Sequence, residues 1–249
     1  MQKYTSISAL ALALALTACG GSDNTSTKQP VGSPAPAPAP TPTASTITID
    51  FNKGIDGWTA GVADYHDGTE PTETGAGWSK LPVPFTGMGY YMRSHNNSDD
   101  VFTYAKRQFS GFVPNAKYNL TIEMSYVTSA SNGCMGVGGA RGEAVFMVGA
   151  AIDFEPKLVK GSDGRYVLNF DHGDQGNSGK QGKVLGRQGI DGLECDGTAY
   201  GKATRKSDEV IPVQADMDGK FWIVLGTDSA FEGTNDLYLT GAVVNVKPQ

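Results

Sequence analysis

The chain has 249 residues, 20 Lys and Arg against 26 Asp and Glu, three His and three Cys, with a formal charge of −6 at neutral pH. That acidic balance, with no basic stripe interleaved with aromatics, argues against binding to nucleic acid or to anionic lipid headgroups. Thirty-three glycines, and no window holding a 3.6-residue apolar period, argue against a helical fold.

Residues 1–18 read as an export signal. Lys3 supplies the positive region, and the apolar run Ile7–Ala18 is shorter than the roughly 20 residues a membrane span needs. Leu16-Thr17-Ala18-Cys19 resembles a bacterial lipobox, which marks Cys19 for lipidation, palmitate included, and for a place at the mature N-terminus. Lipid would then hold the protein on the membrane. Gly20 after the cysteine, by resemblance to sorting in Gram-negative lipoproteins, favours the outer membrane of the bacterial cell envelope. Loss of Lys3 would leave 19 basic and 26 acidic residues, a charge of −7.

Residues 19–45 form a spacer rich in Pro, Ala, Ser and Thr. Alternating Pro34–Pro40 favours polyproline II, and the stretch has nothing apolar to bury, so it is expected to be disordered. Residues 46–249 are long enough for one domain with a sizeable core. Strand patterns recur near 46–51, 57–63, 88–93, 101–109, 117–127, 143–152, 165–170, 209–214, 219–226 and 237–246. The cleanest is Tyr118–Tyr126, where Tyr118, Leu120, Ile122, Met124 and Tyr126 alternate with polar residues. Ser162-Asp163-Gly164 and Asp216-Met217-Asp218-Gly219 supply hairpin turns. The expected fold is all-β, a single β-sandwich or jelly-roll domain. Residues 64–85 and 171–203 read as long irregular loops, the kind that carry function.

Cys134 and Cys195 remain after Cys19. In an oxidising compartment they are expected to form a disulfide, since neither has a Cys-x-x-Cys partner or a neighbouring His to suggest a metal.

Three stretches carry a family resemblance. Ile49–Trp58, Phe109–Tyr118 and Asn235–Val244 resemble parts of bacterial carbohydrate-binding jelly rolls of the galactose-binding-like type. The whole domain is similar to a family of uncharacterised bacterial lipoproteins through His95–Asp100, Val113–Tyr118 and Gly226–Gly233. No catalytic residue is carried over from either. The first resemblance implies a structural Ca²⁺ near the first and last strands, with Asp50, Asn52 and Asp236 as its candidate ligands.

The candidate ligand-binding residues are polar side chains in loops, with aromatics beside them. His95, Asn96, Asn97, Asp99 and Asp100 offer paired donors and acceptors for sugar hydroxyls, oxygens for a cation, or simply a turn. Tyr65, His66 and Trp78 lie in the first long loop, where an aromatic ring can stack on a sugar. Asp228 and Glu232 flank Phe231 in a late loop. Each histidine has an acid close in sequence: Asp64 or Asp67 for His66, Asp99 for His95, and Asp171 or Asp174 for His172. No Gly-x-Ser-x-Gly and no His-Glu-x-x-His occurs, so neither a nucleophile elbow nor a zincin is present. The leading expectation is a lipid-anchored extracytoplasmic module that binds a glycan or another polar small ligand. The alternative is a structural lipoprotein whose loops bind a protein partner, and a hydrolase comes third.

Overall fold

The computed structural model describes residues 39–207 and 209–249. The expected export signal, Cys19 and the expected spacer up to residue 38 lie outside the described residues. Sixteen strands follow in chain order: β1 Ser45–Asp50, β2 Thr59–Ala63, β3 Thr72–Lys80, β4 Met88–His95, β5 Val101–Ser110, β6 Lys117–Thr128, β7 Val145–Ile152, β8 Leu158–Lys160, β9 Tyr166–Leu168, β10 Gly173–Asp174, β11 Asn177–Ser178, β12 Gly182–Arg187, β13 Gly201–Lys206, β14 Ile211–Gln214, β15 Lys220–Ser229 and β16 Thr234–Pro248. No helix occurs among the described residues.

Two antiparallel sheets face each other as a sandwich. The larger runs β13-β6-β16-β4-β3, with β1 added to β16 and β14 to β6; the smaller runs β12-β7-β15-β5-β2. The long last strand organises the larger sheet. One flank of β16 pairs with β6, and the other is shared end to end by β4 (Thr234–Leu239) and β1 (Gly241–Val246).

The alternation in β6 explains the main core. Tyr118, Leu120, Ile122, Met124 and Tyr126 are buried, and they pack with Tyr90, Met92, Leu237 and Leu239 against Ala105, Met147, Phe221, Ile223 and Leu225 of the smaller sheet. Apolar burial of this kind is worth about 25 cal/mol per Å².

A second core lies on the opposite face of the smaller sheet. Phe102, Tyr104, Val148, Ala150 and Val224 point that way and are covered by Leu168 and Phe170. The nearly unbroken apolar runs of β7 and β15 are what strands buried on both faces require. Their cover is the segment 153–181, which contains the β8-β9 and β10-β11 hairpins.

The two stretches expected to be irregular therefore contain strands. Within 64–85, β3 forms the edge of the larger sheet; its sequence TETGAGWSK carries two glycines and little apolar alternation, because most of it is exposed. Within 171–203, β10, β11, β12 and the first part of β13 are paired. Cys134 and Cys195 form a disulfide with Cα atoms 5.6 Å apart.

Candidate functional site

Four separate segments meet at one end of the smaller sheet. The Asn97 side chain donates to the Glu70 carbonyl (2.6 Å), and Asn96 donates to the carbonyls of Ser229 (2.9 Å) and Phe231 (3.1 Å). The Gln175 amide nitrogen donates to Asp228 Oδ2 (2.7 Å), and its side chain donates to the Asp99 carbonyl (2.9 Å). So residues 64–70, 94–100, 172–175 and 228–232 form a knot of internal hydrogen bonds.

At its centre are charged groups. Asp64 follows β2, Asp100 precedes β5 and Asp228 lies in β15, where it faces the second core. One carboxylate oxygen from each can be chosen so that all three lie within 4.8 Å of one another. His172 enters from the cover. Its Nε2 is 2.9 Å from Asp64 Oδ2 and its Nδ1 is 3.8 Å from Asp228 Oδ2. The shorter approach is not aligned as a hydrogen bond and the longer one is too far for one, so Asp64 Oδ2 and His172 Nδ1 both lack a partner, as do Asp100 Oδ1 and Asp228 Oδ1. Arg165 pairs with Asp100 and lies 3.7 Å from Asp64.

Burial sets the electrostatics. Asp64, His172 and Asp228 are 4%, 5% and 1% exposed. Desolvation pushes the Asp228 carboxyl up to about 7, with the His172 charge opposing and the Asp64 charge adding to it. Burial disfavours a charged His172, but the Asp64 carboxylate beside it and the charges of Asp228 and Asp171 outweigh that and raise its pKa. Asp64 and Asp228 are thus almost wholly withdrawn from solvent, while Asp100 is partly exposed.

The sequence pairs each histidine with an acid nearby in the chain; the fold pairs them differently. His172 meets Asp64 rather than Asp171 or Asp174. His66 is exposed, and its backbone nitrogen bonds the Thr69 hydroxyl. Tyr65 stacks on Tyr166, centroids 5.1 Å apart. Glu232 is exposed, with its backbone nitrogen bonded to the Val137 carbonyl. Trp78 lies at the far end of β3, 48% exposed, with its indole N–H donating to the Phe51 carbonyl.

The three candidate calcium ligands are not brought together. Asp50 pairs with Lys53, and the Asn52 side-chain oxygen accepts from the Met88 backbone. Asp50 is in register with Gly241, five residues along β16 from Asp236, or about 17 Å at strand rise. Asp236 is occupied by Arg141, whose Nη2 donates to its Oδ1 at 2.5 Å and to its carbonyl at 2.8 Å.

A second arrangement lies on the solvent face of the larger sheet. Along β4, Tyr90, Met92 and Ser94 turn inward, so Tyr91, Arg93 and His95 turn outward. Their partners on β16 are Tyr238, Asp236 and Thr234. The Tyr91 and Tyr238 rings are 4.9 Å apart, and Tyr200, just before β13, meets Tyr238 edge-on at 6.3 Å. Tyr91 donates to Asp236 at 3.3 Å, Arg93 pairs with Glu73, and Thr234 links Glu73 to His95. Gly75 and Gly77 of β3 lie opposite Arg93 and Tyr91, and a Cβ at either would meet nothing within 4 Å. Neither glycine therefore covers the Arg93 or Tyr91 side chain. A shallow hollow of about 440 Å³ lies further along the same sheet, lined in part by Asp50, Asn52, Met88, Ser125, Lys202 and Thr240. Sequence reading missed this face, although the alternation Tyr91-Arg93-His95 was there to find it.

No family model matches the chain, and no curated protein matches it. Similar solved structures include a carbohydrate-binding module of the β-sandwich superfamily (9% identity, TM-score 0.38), over 81% of this chain and 60% of that one. Another is the K1 cleaved adhesin domain of Lys-gingipain from Porphyromonas gingivalis W83 (11%, TM-score 0.36), over 82% and 99%. A third is the family 11 carbohydrate-binding module of a Clostridium thermocellum cellulosomal cellulase (11%, TM-score 0.35), over 83% and 96%. The chain thus spans less than two thirds of the first of these and nearly all of the other two.

Proposed function

We propose that this chain is a glycan-binding module, held at the bacterial envelope by lipid on Cys19, that reads its ligand with the outer face of the larger sheet. The observation that carries this reading is the Tyr91–Tyr238 pair, set between rows of charged and hydroxyl groups on a solvent-facing sheet surface. Aromatic faces take the apolar C–H faces of sugar rings, and the flanking Asp236, Arg93, Glu73 and Thr234 offer the donors and acceptors that hydroxyls need. Burial, then the neighbouring Asp236, pushes the Tyr91 phenol up, so it acts as a neutral donor.

The test is a glycan array followed by calorimetric titration of the hits. Tyr238→Ala is expected to weaken binding at least about tenfold, whereas Trp78→Ala leaves it unchanged. Absence of any saturable glycan signal would sink the reading. For the anchor, Cys19→Ser is expected to move the protein out of the membrane fraction; if it stays there, the lipid reading fails.

A further inference from the structure

We propose that Asp64, Asp100, Asp228 and His172 form a site for one divalent transition cation, Zn²⁺ or Mn²⁺, which pins the 153–181 cover to the smaller sheet. This is independent of the glycan reading and lies away from Asp50, Asn52 and Asp236.

Geometry comes first. Three oxygens no more than 4.8 Å apart have a common centre within about 2.8 Å of each, so bonding Zn²⁺ at about 2.1 Å asks each carboxylate oxygen to move inward by about 0.7 Å. The three acids come from the residue after β2, the residue before β5 and β15 itself, so the paired strands of the smaller sheet place all three.

The second observation is His172. It is 5% exposed, its Nδ1 has no hydrogen-bond partner, and that atom faces Asp228 Oδ2 from 3.8 Å. Its other nitrogen lies against Asp64. One nitrogen thus lies against the Asp64 carboxylate and the other, without a hydrogen bond, faces Asp228; a ligating histidine has the same two-sided placement, with a carboxylate at one nitrogen and the cation at the other. A buried imidazole that served only as a counter-charge would be expected to donate from both nitrogens.

Charge gives the third argument. Among the described residues the ion-pair partners of these acids are Arg165 and His172. Three carboxylates less one guanidinium leave two negative charges when the imidazole is neutral. Burying such an excess is costly, and one divalent cation cancels it. A donor set of three carboxylates and one imidazole suits Zn²⁺ or Mn²⁺; Ca²⁺ favours six to eight oxygens and no nitrogen.

The experiment uses the full chain, stripped with a chelator and titrated separately with Zn²⁺, Mn²⁺, Ca²⁺ and Mg²⁺. One equivalent of Zn²⁺ or Mn²⁺ is expected to bind and to raise the melting midpoint by about 5 °C or more, an effect lost in Asp228→Asn and kept in Asp236→Asn. Should Asp228→Asn fail to fold, the unaltered chain still decides the matter by NMR, because it has only three histidines. Bound Mn²⁺ is expected to broaden the ring signals of His172 more strongly than those of His66 and His95. No saturable binding of Zn²⁺ or Mn²⁺, binding of Ca²⁺ alone, or broadening confined to His66 or His95 would each overturn the proposal.

Discussion

The imidazole of His172 lies flat on the ring of Phe102, centroids 4.1 Å apart and planes within 9° of parallel. Phe102 belongs to β5 and is fully buried, whereas His172 belongs to the cover, so this stack is one of the points where the cover is bolted to the sandwich. Phe102→Ala removes both that stack and part of the second core. It is expected to cost about 3–5 kcal/mol in chemical denaturation. Val159→Ala, on an exposed strand of the same cover, should stay within about 0.5 kcal/mol. Equal effects from the two would mean that the second core contributes nothing to stability.

The disulfide closes a long loop between positions 61 apart in the sequence. Replacing Cys134 and Cys195 by Ser is expected to destabilise the folded chain by up to about 4 kcal/mol on the chain-entropy account. Comparing denaturation midpoints of the double variant and the unaltered chain, with and without reductant, checks it. A midpoint for the unaltered chain that ignores reductant, under conditions where the thiols are shown to be free, would contradict it.

Tyr126 sets an alkaline limit. It is buried in the main core, its hydroxyl donates to the Gln188 carbonyl at 2.7 Å, and desolvation pushes its pKa up to about 12. An acid whose folded pKa is raised keeps its proton more tightly when folded. Its stabilisation is therefore complete below the unfolded value near 10 and is lost as pH climbs from there towards 12. About two pKa units correspond to at most about 3 kcal/mol. Stability measured across that window should fall less steeply in Tyr126→Phe, which in turn should lose about 1 kcal/mol at neutral pH with its hydrogen bond.

Gly138 has φ +72°, and a Cβ there would press into the carbonyl oxygen of Ala230. Gly138→Ala should therefore destabilise the turn that packs on residues 230–232, by about 1–3 kcal/mol. Gly77 is the opposite case, with open space beyond it. Gly77→Leu should leave the melting midpoint almost unchanged while placing bulk beside Tyr91. A glycan affinity cut at least about tenfold by that change would support the tyrosine face; an unchanged affinity would place the ligand elsewhere.

Much of the architecture is written in local pattern. The alternation of Tyr118–Tyr126 marks a half-buried strand, and the fold puts all five of those residues inside. Edge strand β3 is hidden from such reading because it buries little, so its glycines look like a loop. The second core is hidden too: β7 and β15 show that something covers their outer face, but not that Leu168, Phe170 and His172 of a glycine-rich stretch do so. Charge pairing fails as a local inference because Asp64 and His172 are more than a hundred residues apart, and only the folding of the cover onto β5 brings them within 2.9 Å. The tyrosine face fails for a subtler reason. Tyr91 and Tyr238 each sit in an ordinary strand, and their partnership exists only in the register between β4 and β16.

That same long strand has a mechanical consequence. The chain before Ser45 enters the domain through β1, which lies antiparallel on β16 from Ser45 opposite Val246 to Asp50 opposite Gly241. Tyr238 stands beyond the Asp50 end of that ladder, on the same strand. Under the proposed anchoring at Cys19 and ligand binding at Tyr238, a pull between the two runs along the strands, not across them. It loads all six registered pairs together in shear, so the ladder must give way as one unit rather than unzip pair by pair.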